Sequence, residues 1–143
     1  MPAQYEKQEL RFQYPDNWTL ADEQWDEWPH VVSVQSPSGA FWTVHSYPPG
    51  SDPQALTQEV LQTLRQEYGD VDSDVVVEDL LGNQAVGYGM DFYCLDFVVS
   101  AQTLAVTIGN ATLLFVYQAE MREFGDLLPV FRAMMFSVAQ SLP

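Results

Sequence analysis

His30, His45 and Cys94 are the residues of this chain whose types suit nucleophilic catalysis. That chemistry needs a base within hydrogen-bond reach of the nucleophile and a third group to orient it. His45 alternates with Val44 and Ser46 on an expected strand. Cys94 falls in an apolar strand, where cysteine behaves as a small inert hydrophobe. A satisfied structural or surface histidine is therefore expected at His45, and no dyad. Gly87 and Gly89 bracket Tyr88, but no third glycine follows and the segment runs on as strand, so no dinucleotide loop is expected. A glycine within a strand more often admits a neighbouring ring or marks a bulge. Asp70, Asp72 and Asp74 alternate like the opening of a calcium loop. That loop requires Gly at its sixth position and Glu at its twelfth, where this chain has Val75 and Leu81. Solvated loop acids are expected there, with a weak adventitious cation site as the alternative. Nothing in the pattern calls for a metal or a cofactor.

The other notable cluster is acidic and aromatic. Asp22, Glu23, Asp26 and Glu27 surround Trp25 and Trp28. Tryptophan anchors within a charged rim suit a protein interface. The alternative is a loop folded back so that both rings cover a sheet edge. Trp42, on a nearby expected strand, is a candidate to join the same contact surface.

Composition narrows the partners. The 143 residues carry 20 Asp and Glu against 5 Lys and Arg, a formal charge of −15. Nucleic acid and anionic membranes attract through clustered Lys and Arg, and here Lys7, Arg11, Arg65, Arg122 and Arg132 are scattered singly. A field of this sign favours cations or basic protein surfaces. The 47% hydrophobic content argues against disorder, because it offers enough apolar surface to offset chain entropy. The length suits one domain, 1–143, with a substantial core. No apolar run reaches the roughly 18 residues of a membrane span. The opening residues hold Glu6 and Glu9 and no apolar stretch, so a cytoplasmic location without a signal peptide is the expectation. With Cys94 alone, neither an internal disulfide nor a cysteine cage for zinc is available.

The elements that must position these residues are legible from periodicity. Leu10, Phe12 and Tyr14 alternate with polar residues, a one-faced strand stopped by Pro15. The stretch from Asp22 to Pro29 is too polar for a core strand and reads as a surface loop. Val31 to Gln35 and Phe41 to Tyr47 form a hairpin about Pro37, Ser38 and Gly39. Ser51 or Asp52 caps a helix with Pro53 in its first turn. Leu56, Val60, Leu61, Leu64 and Tyr68 make its apolar stripe, and Gly69 ends it. Val75 to Leu81 reads as strand, with a tight turn at Gly82–Asn83. From Gln84 to Ala119 the chain is almost wholly β, including a type II′ hairpin at Gly109–Asn110. A closing helix runs from about Phe124 to Gln140, its start drawn towards Leu127 by Pro129. The sum is an α+β fold: an antiparallel meandering sheet of six to seven strands with a mid-chain and a C-terminal helix packed on it.

This order of parts resembles the PsbP-like fold family. The family is named for the extrinsic P protein of photosystem II and includes a Ran-GTPase-binding nuclear import factor and bacterial domains. The resemblance rests on the opening strand into Pro15 and Trp18, the helix carrying Leu56, Val60 and Leu64, and the Gly82 turn feeding the meander. The closing helix with Phe131, Phe136 and Ser137 completes it. The resemblance implies non-enzymatic binding, as an assembly factor, a small-GTPase partner or a chaperone for secreted effectors, and it places no binding residues. The opening shows no lipoprotein or transit segment of the kind photosynthetic members carry, so a role outside photosynthesis is expected.

The expected function is thus a non-catalytic protein-binding domain, steering a basic or amphipathic protein to the surface around Asp22, Glu23, Trp25, Asp26, Glu27, Trp28 and Trp42. The second reading is a small-ligand cleft between sheet and helix, lined by Tyr47, Tyr88 and Phe92. The chain is expected to be a monomer or weak dimer, since high net charge opposes self-association through a strand edge.

Overall fold

The computed structural model describes residues 2–7, 10–23 and 29–142. In chain order the elements are β1 (Pro2–Lys7), β2 (Leu10–Pro15), β3 (Thr19–Glu23), β4 (His30–Gln35), β5 (Phe41–Tyr47), α1 (Pro53–Tyr68), β6 (Val71–Leu80), β7 (Asn83–Cys94), β8 (Phe97–Ile108), β9 (Ala111–Glu120) and α2 (Met121–Ser141). Among the described residues, β3 to β9 form one sheet in the order β3-β4-β5-β9-β8-β7-β6, and β1 and β2 pair separately. Every pairing is antiparallel. Two meanders, β3-β4-β5 and β6-β7-β8-β9, are joined by the pairing of β5 with β9. This is the α+β antiparallel architecture that the periodicity predicts.

Strand alternation divides the apolar residues between two faces. Trp42 and Val44 of β5, Leu104 and Val106 of β8, and Leu113, Phe115 and Tyr117 of β9 point to one side. There they meet Phe131, Met134, Met135 and Val138 of α2, together with Phe12 of β2. On the other side Met90, Phe92, Val99 and Ala101 pack against Leu61 of α1, with Leu64 and Tyr68 at the margin. The sheet is thus the middle of three layers, with α2 and the β1–β2 ribbon on one face and α1 on the other.

The helix ends follow their local chemistry. Asp52 caps α1, accepting from the Gln54 N–H at 3.1 Å, with Pro53 at the helix start where no N–H is needed. Gly69 closes it at φ 80°, its N–H donating to Arg65 O at 2.9 Å. Gly109, at φ 60° between the paired Ile108 and Ala111, supplies the positive φ that the first position of a type II′ turn requires.

Four boundaries differ from the sequence reading. The helix α2 begins at Met121 and carries Pro129 in its interior. Proline forgoes one backbone hydrogen bond, but Phe124, upstream of it, packs on Phe131 and Tyr117 with centroids 6.0 and 6.4 Å away. Tertiary packing therefore holds the first turns. The strand β6 starts at Val71, so Asp72 and Asp74 are strand residues and not loop acids. The β6–β7 turn is Leu81–Gly82, one residue earlier than expected, since Leu80 pairs with Asn83. Both turn residues have positive φ, 54° and 85°, the type I′ pattern. Lastly, Asp22 and Glu23 end β3, paired opposite Val32 and Val31, instead of opening a loop.

Candidate functional site: an exposed apolar hairpin tip

The hairpin of β7 and β8 turns in two residues, Leu95 and Asp96, between the paired Cys94 and Phe97. Leu95 takes φ 57°, a left-handed conformation that costs a non-glycine residue roughly 1–2 kcal/mol. It is also 91% exposed, with Tyr93 at 71%, Phe97 at 51% and Met121 at 47%. Alternation sends Tyr93 and Phe97 to opposite faces of the ribbon, so the tip is apolar on both sides. Beside it, Phe97, Val98 and Met121 line an open hollow of about 380 Å³ together with Asp96, Glu120 and Arg122. Arg122 is tied to Glu120 at 3.1 Å. The rim thus carries Asp96, Glu120 and Arg122 around an apolar centre. That combination is what an interface anchor needs.

Sequence reasoning missed this tip because Tyr93, Leu95 and Phe97 continue the alternation of a strand. The signal was negative: the segment contains no Gly or Asn to mark a turn, and Asp96 is its only ordinary turn former.

The expected interface residues fare differently. Trp25, Asp26, Glu27 and Trp28 lie outside the described residues. Asp22 is engaged at Oδ2 by the Tyr5 hydroxyl at 3.0 Å and by Lys7 Nζ at 3.4 Å, while Glu23 is the last residue of β3. Trp42 is a correction. It is fully buried, packed between Phe12 and Phe115 with centroids 5.0 and 5.8 Å away, and belongs to the core. Its expected exposure fails because the β1–β2 ribbon covers that face of β5. The indole N–H has no hydrogen-bond partner among the described residues.

The expected cleft residues are split by α1. Tyr47 lines a hollow of about 220 Å³ with His45, Leu56, Glu59, Val60, Thr63, Leu64, Leu114 and Val116. Phe92 instead lies inside the α1 cluster, stacked on Tyr68 at 4.5 Å, with Tyr88 partly buried at its margin. Thr43 Oγ1 lies 3.2 Å from both Val116 O and His45 Nε2. A hydroxyl has one proton, so donating to the carbonyl leaves His45 Nε2–H as the donor to Thr43. Burial holds the His45 pKa below its ordinary value. The Tyr47 hydroxyl is pushed up, first by burial and then by the charge of Glu59. These are the marks of a neutral, structural histidine.

A larger groove, about 540 Å³, runs between β2 and α2, lined by Tyr14, Pro15, Pro129, Val130, Ala133 and Met134 among others. Next to it the Gln13 N–H donates to Ser137 Oγ at 2.9 Å, fastening β2 to α2.

His45 and Cys94 do not converge. Registers across the sheet align His45 with Leu114, Ala105 and Val86. Cys94 is eight residues further along β7, roughly 27 Å at about 3.4 Å per residue. No dyad can form between them. No group of three or more metal-ligating side chains is found among the described residues. No helix there is long and apolar enough to cross a membrane.

No family model and no curated protein matches the sequence. Solved structures do resemble it. Cyanobacterial PsbP (CyanoP) from Synechocystis sp. PCC 6803 aligns with a TM-score of 0.67 and 14% identity, covering 95% of this chain and 90% of that one. PA94 of Pseudomonas aeruginosa, a protein of unknown function, aligns with a TM-score of 0.58 and 12% identity, covering 95% and 94%. LpqN of Mycobacterium tuberculosis, involved in cell envelope biogenesis, aligns with a TM-score of 0.50 and 14% identity, covering 94% and 80%. At such identities the likeness is one of architecture, and the fold of this chain is PsbP-like.

Proposed function

We propose that this chain is a non-catalytic protein-binding domain that draws in a basic or amphipathic partner and anchors it on the exposed tip of the β7–β8 hairpin. The observation that carries this reading is Leu95. Water exposure and a left-handed backbone both disfavour leucine there, and glycine or asparagine would hold the turn at less cost. Leu81 shares the positive φ but is 49% exposed; what singles out Leu95 as an anchor is its 91% exposure beside Tyr93 and Phe97. The net charge of −15 supplies long-range steering, and Leu95, Phe97 and Tyr93 supply apolar area to be buried on contact. The non-catalytic part of the reading rests on the separation of His45 from Cys94.

The test compares three forms of the chain as bait: wild type, Leu95→Asn and Leu81→Asn. Each is immobilised, exposed to source lysate at low and moderate salt, and the retained proteins are identified by mass spectrometry. Both substitutions relieve a left-handed leucine, but only the first removes the tip anchor. A basic protein retained by wild type and Leu81→Asn, lost with Leu95→Asn and weakened by salt, is the expected result. Equal retention by all three forms would move the contact surface away from the tip.

A second reading, binding of a small apolar ligand, draws its support from the β2–α2 groove. Its volume falls within the roughly 300–1,000 Å³ of ligand pockets, whereas the hollow beside Tyr47 falls below that range. Thermal-shift screening of an apolar ligand library tests it, a raised midpoint abolished by Ala133→Trp being the supporting outcome.

A further inference from the structure

We infer that the outer edge of β6 is a second docking surface, which accepts an extended basic segment of another protein as an added strand. The inference rests on the protein-binding reading above and concerns the form its partner takes.

Among the described residues no strand lies beyond β6, the last of the seven in its sheet. It is ten residues long and paired with β7 along its whole length. Alternate residues therefore turn their N–H and C=O groups outward, a ready template for another strand. Short length is one common protection for an edge, and the opposite edge, β3, has it with five residues. The β6 edge does not. On its α1 side it presents Val75 and Val77, exposed at 75% and 54%, next to the half-buried Tyr88 and Val86 that face them on β7. Arg65 of α1 reaches β6 only at Ser73, 3.1 Å away, and leaves the two valines uncovered.

Charge decides what can pair there. On the α2 side the same strand shows Asp72 and Asp74, both exposed, then Glu78 held by Arg132 at 2.8 Å. A second copy of β6 laid antiparallel about a two-fold axis meets its own acids in three of its central registers, the one centred on Val77 being the exception. Centred on Val75, Asp72 faces Glu78; centred on Val76, Asp74 faces Glu78; centred on Asp74, that residue faces itself. Like charges directly opposite destabilise a strand pair. Within the chain, Asp72 already lies opposite Asp91 of β7. The edge is thus built against its own copy in these three registers and in favour of cations.

An antiparallel occupant can be written residue by residue. It needs apolar side chains opposite Val77 and Val75, and basic ones opposite Asp74 and Asp72. The positions facing Val76 and Ser73 take small β-formers. The resulting pattern, from N- to C-terminus, is Val-Thr-Val-Lys-Thr-Lys: apolar on one face at one end, basic on the other face at the other end.

The test uses that capped hexapeptide with the full chain labelled with nitrogen-15, following backbone amide shifts as peptide is added. Two control peptides accompany it: one with Glu replacing both Lys, and one N-methylated at alternate positions so that it cannot complete a ladder. The expected result is saturable shifts confined to β6 and the Leu81–Gly82 turn. Binding should be at least about tenfold weaker for both control peptides, and similarly weaker in the Asp72→Lys/Asp74→Lys variant. Both acids are exposed strand residues, so the variant is expected to keep the wild-type amide spectrum elsewhere. Equal binding of the N-methylated peptide would show attraction without strand addition and overturn the inference while leaving the steering reading intact. Shifts gathered at Leu95 and Phe97 would do the same. No shift at either place, even at low salt, would overturn both.

Discussion

The hydroxyl of Tyr5 donates to Asp22 Oδ2 across 3.0 Å, and this bond ties the two-stranded ribbon to the outermost strand of the seven-stranded sheet. Lys7 reaches the same oxygen at 3.4 Å. Burial first, and the hydrogen bond to Asp22 second, raise the Tyr5 pKa, so the phenol stays a proton donor at neutral pH. Tyr5→Phe keeps the ring against Phe12, at 5.3 Å, and removes only the bond. The expected loss is about 1 kcal/mol, because water and Lys7 remain available to the carboxylate. Urea unfolding measures it, and an unchanged midpoint would show that the ribbon is held by apolar packing alone.

Gly87 and Gly89 differ sharply although they lie two residues apart in β7. A Cβ at Gly87 would stand 1.7 Å from the carbonyl oxygen of Thr103 in β8, whereas at Gly89 the nearest contact is Val76 Cγ2 at 3.6 Å. Gly87→Ala must push two central strands apart and should cost about 3 kcal/mol or more. Gly89→Ala should be within about 0.5 kcal/mol of wild type or slightly stabilising, since alanine restricts the unfolded chain more than glycine does. Paired denaturation curves decide the matter. Equal effects would mean that the strands do not approach as described.

Leu81 has φ 54° in a two-residue turn whose second residue is Gly82. Asparagine followed by glycine is the preferred sequence for that turn, so Leu81→Asn should raise stability by about 1 kcal/mol. The leucine is 49% exposed, and little packing is lost in exchange. A higher thermal midpoint is the expected observation. A fall would mean that the apolar contacts of Leu81 outweigh its backbone strain.

His45 predicts a pH dependence. Burial lowers its pKa below the ordinary value of about 6.5, so the unfolded chain takes up a proton more readily than the folded one. Stability contributed by the neutral ring is present above that unfolded-state pKa. It is lost as pH falls through it towards the lower folded value. Protonation would also set Nδ1–H as an extra donor in a largely apolar hollow. Wild type should lose stability between about pH 7 and pH 5 more steeply than His45→Gln. Parallel slopes in urea titrations at the two pH values would assign the dependence to carboxylates.

Much of the secondary structure was readable because its signals are local. The Asp52 cap, the Gly69 stop and the Gly109 turn depend on residues within one turn of themselves. The alternation of Leu104, Val106 and Ile108 needs no knowledge of what lies above the sheet. Boundaries slipped where distant packing outweighs local preference, as at Pro129, where Phe124 anchors the preceding turns, and at Val71, where pairing with Phe92 extends the strand.

The candidate site was scarcely legible, for a physical reason. Apolar side chains must fill the interior, but their number does not say which of them remain outside. Trp42 alternates correctly on β5, and Leu95 continues in sequence the alternation of β7. One is buried because the β1–β2 ribbon happens to lie over β5, and the other stands in water because the sheet ends at its turn. By itself the sequence determined the acidic field, the α+β class and the two ends of α1, all set by composition and near neighbours. Only the tertiary structure decided which faces are covered, that β6 is an edge and that β5 joins β9. Those outcomes depend on contacts between residues tens of positions apart, where no local preference reaches.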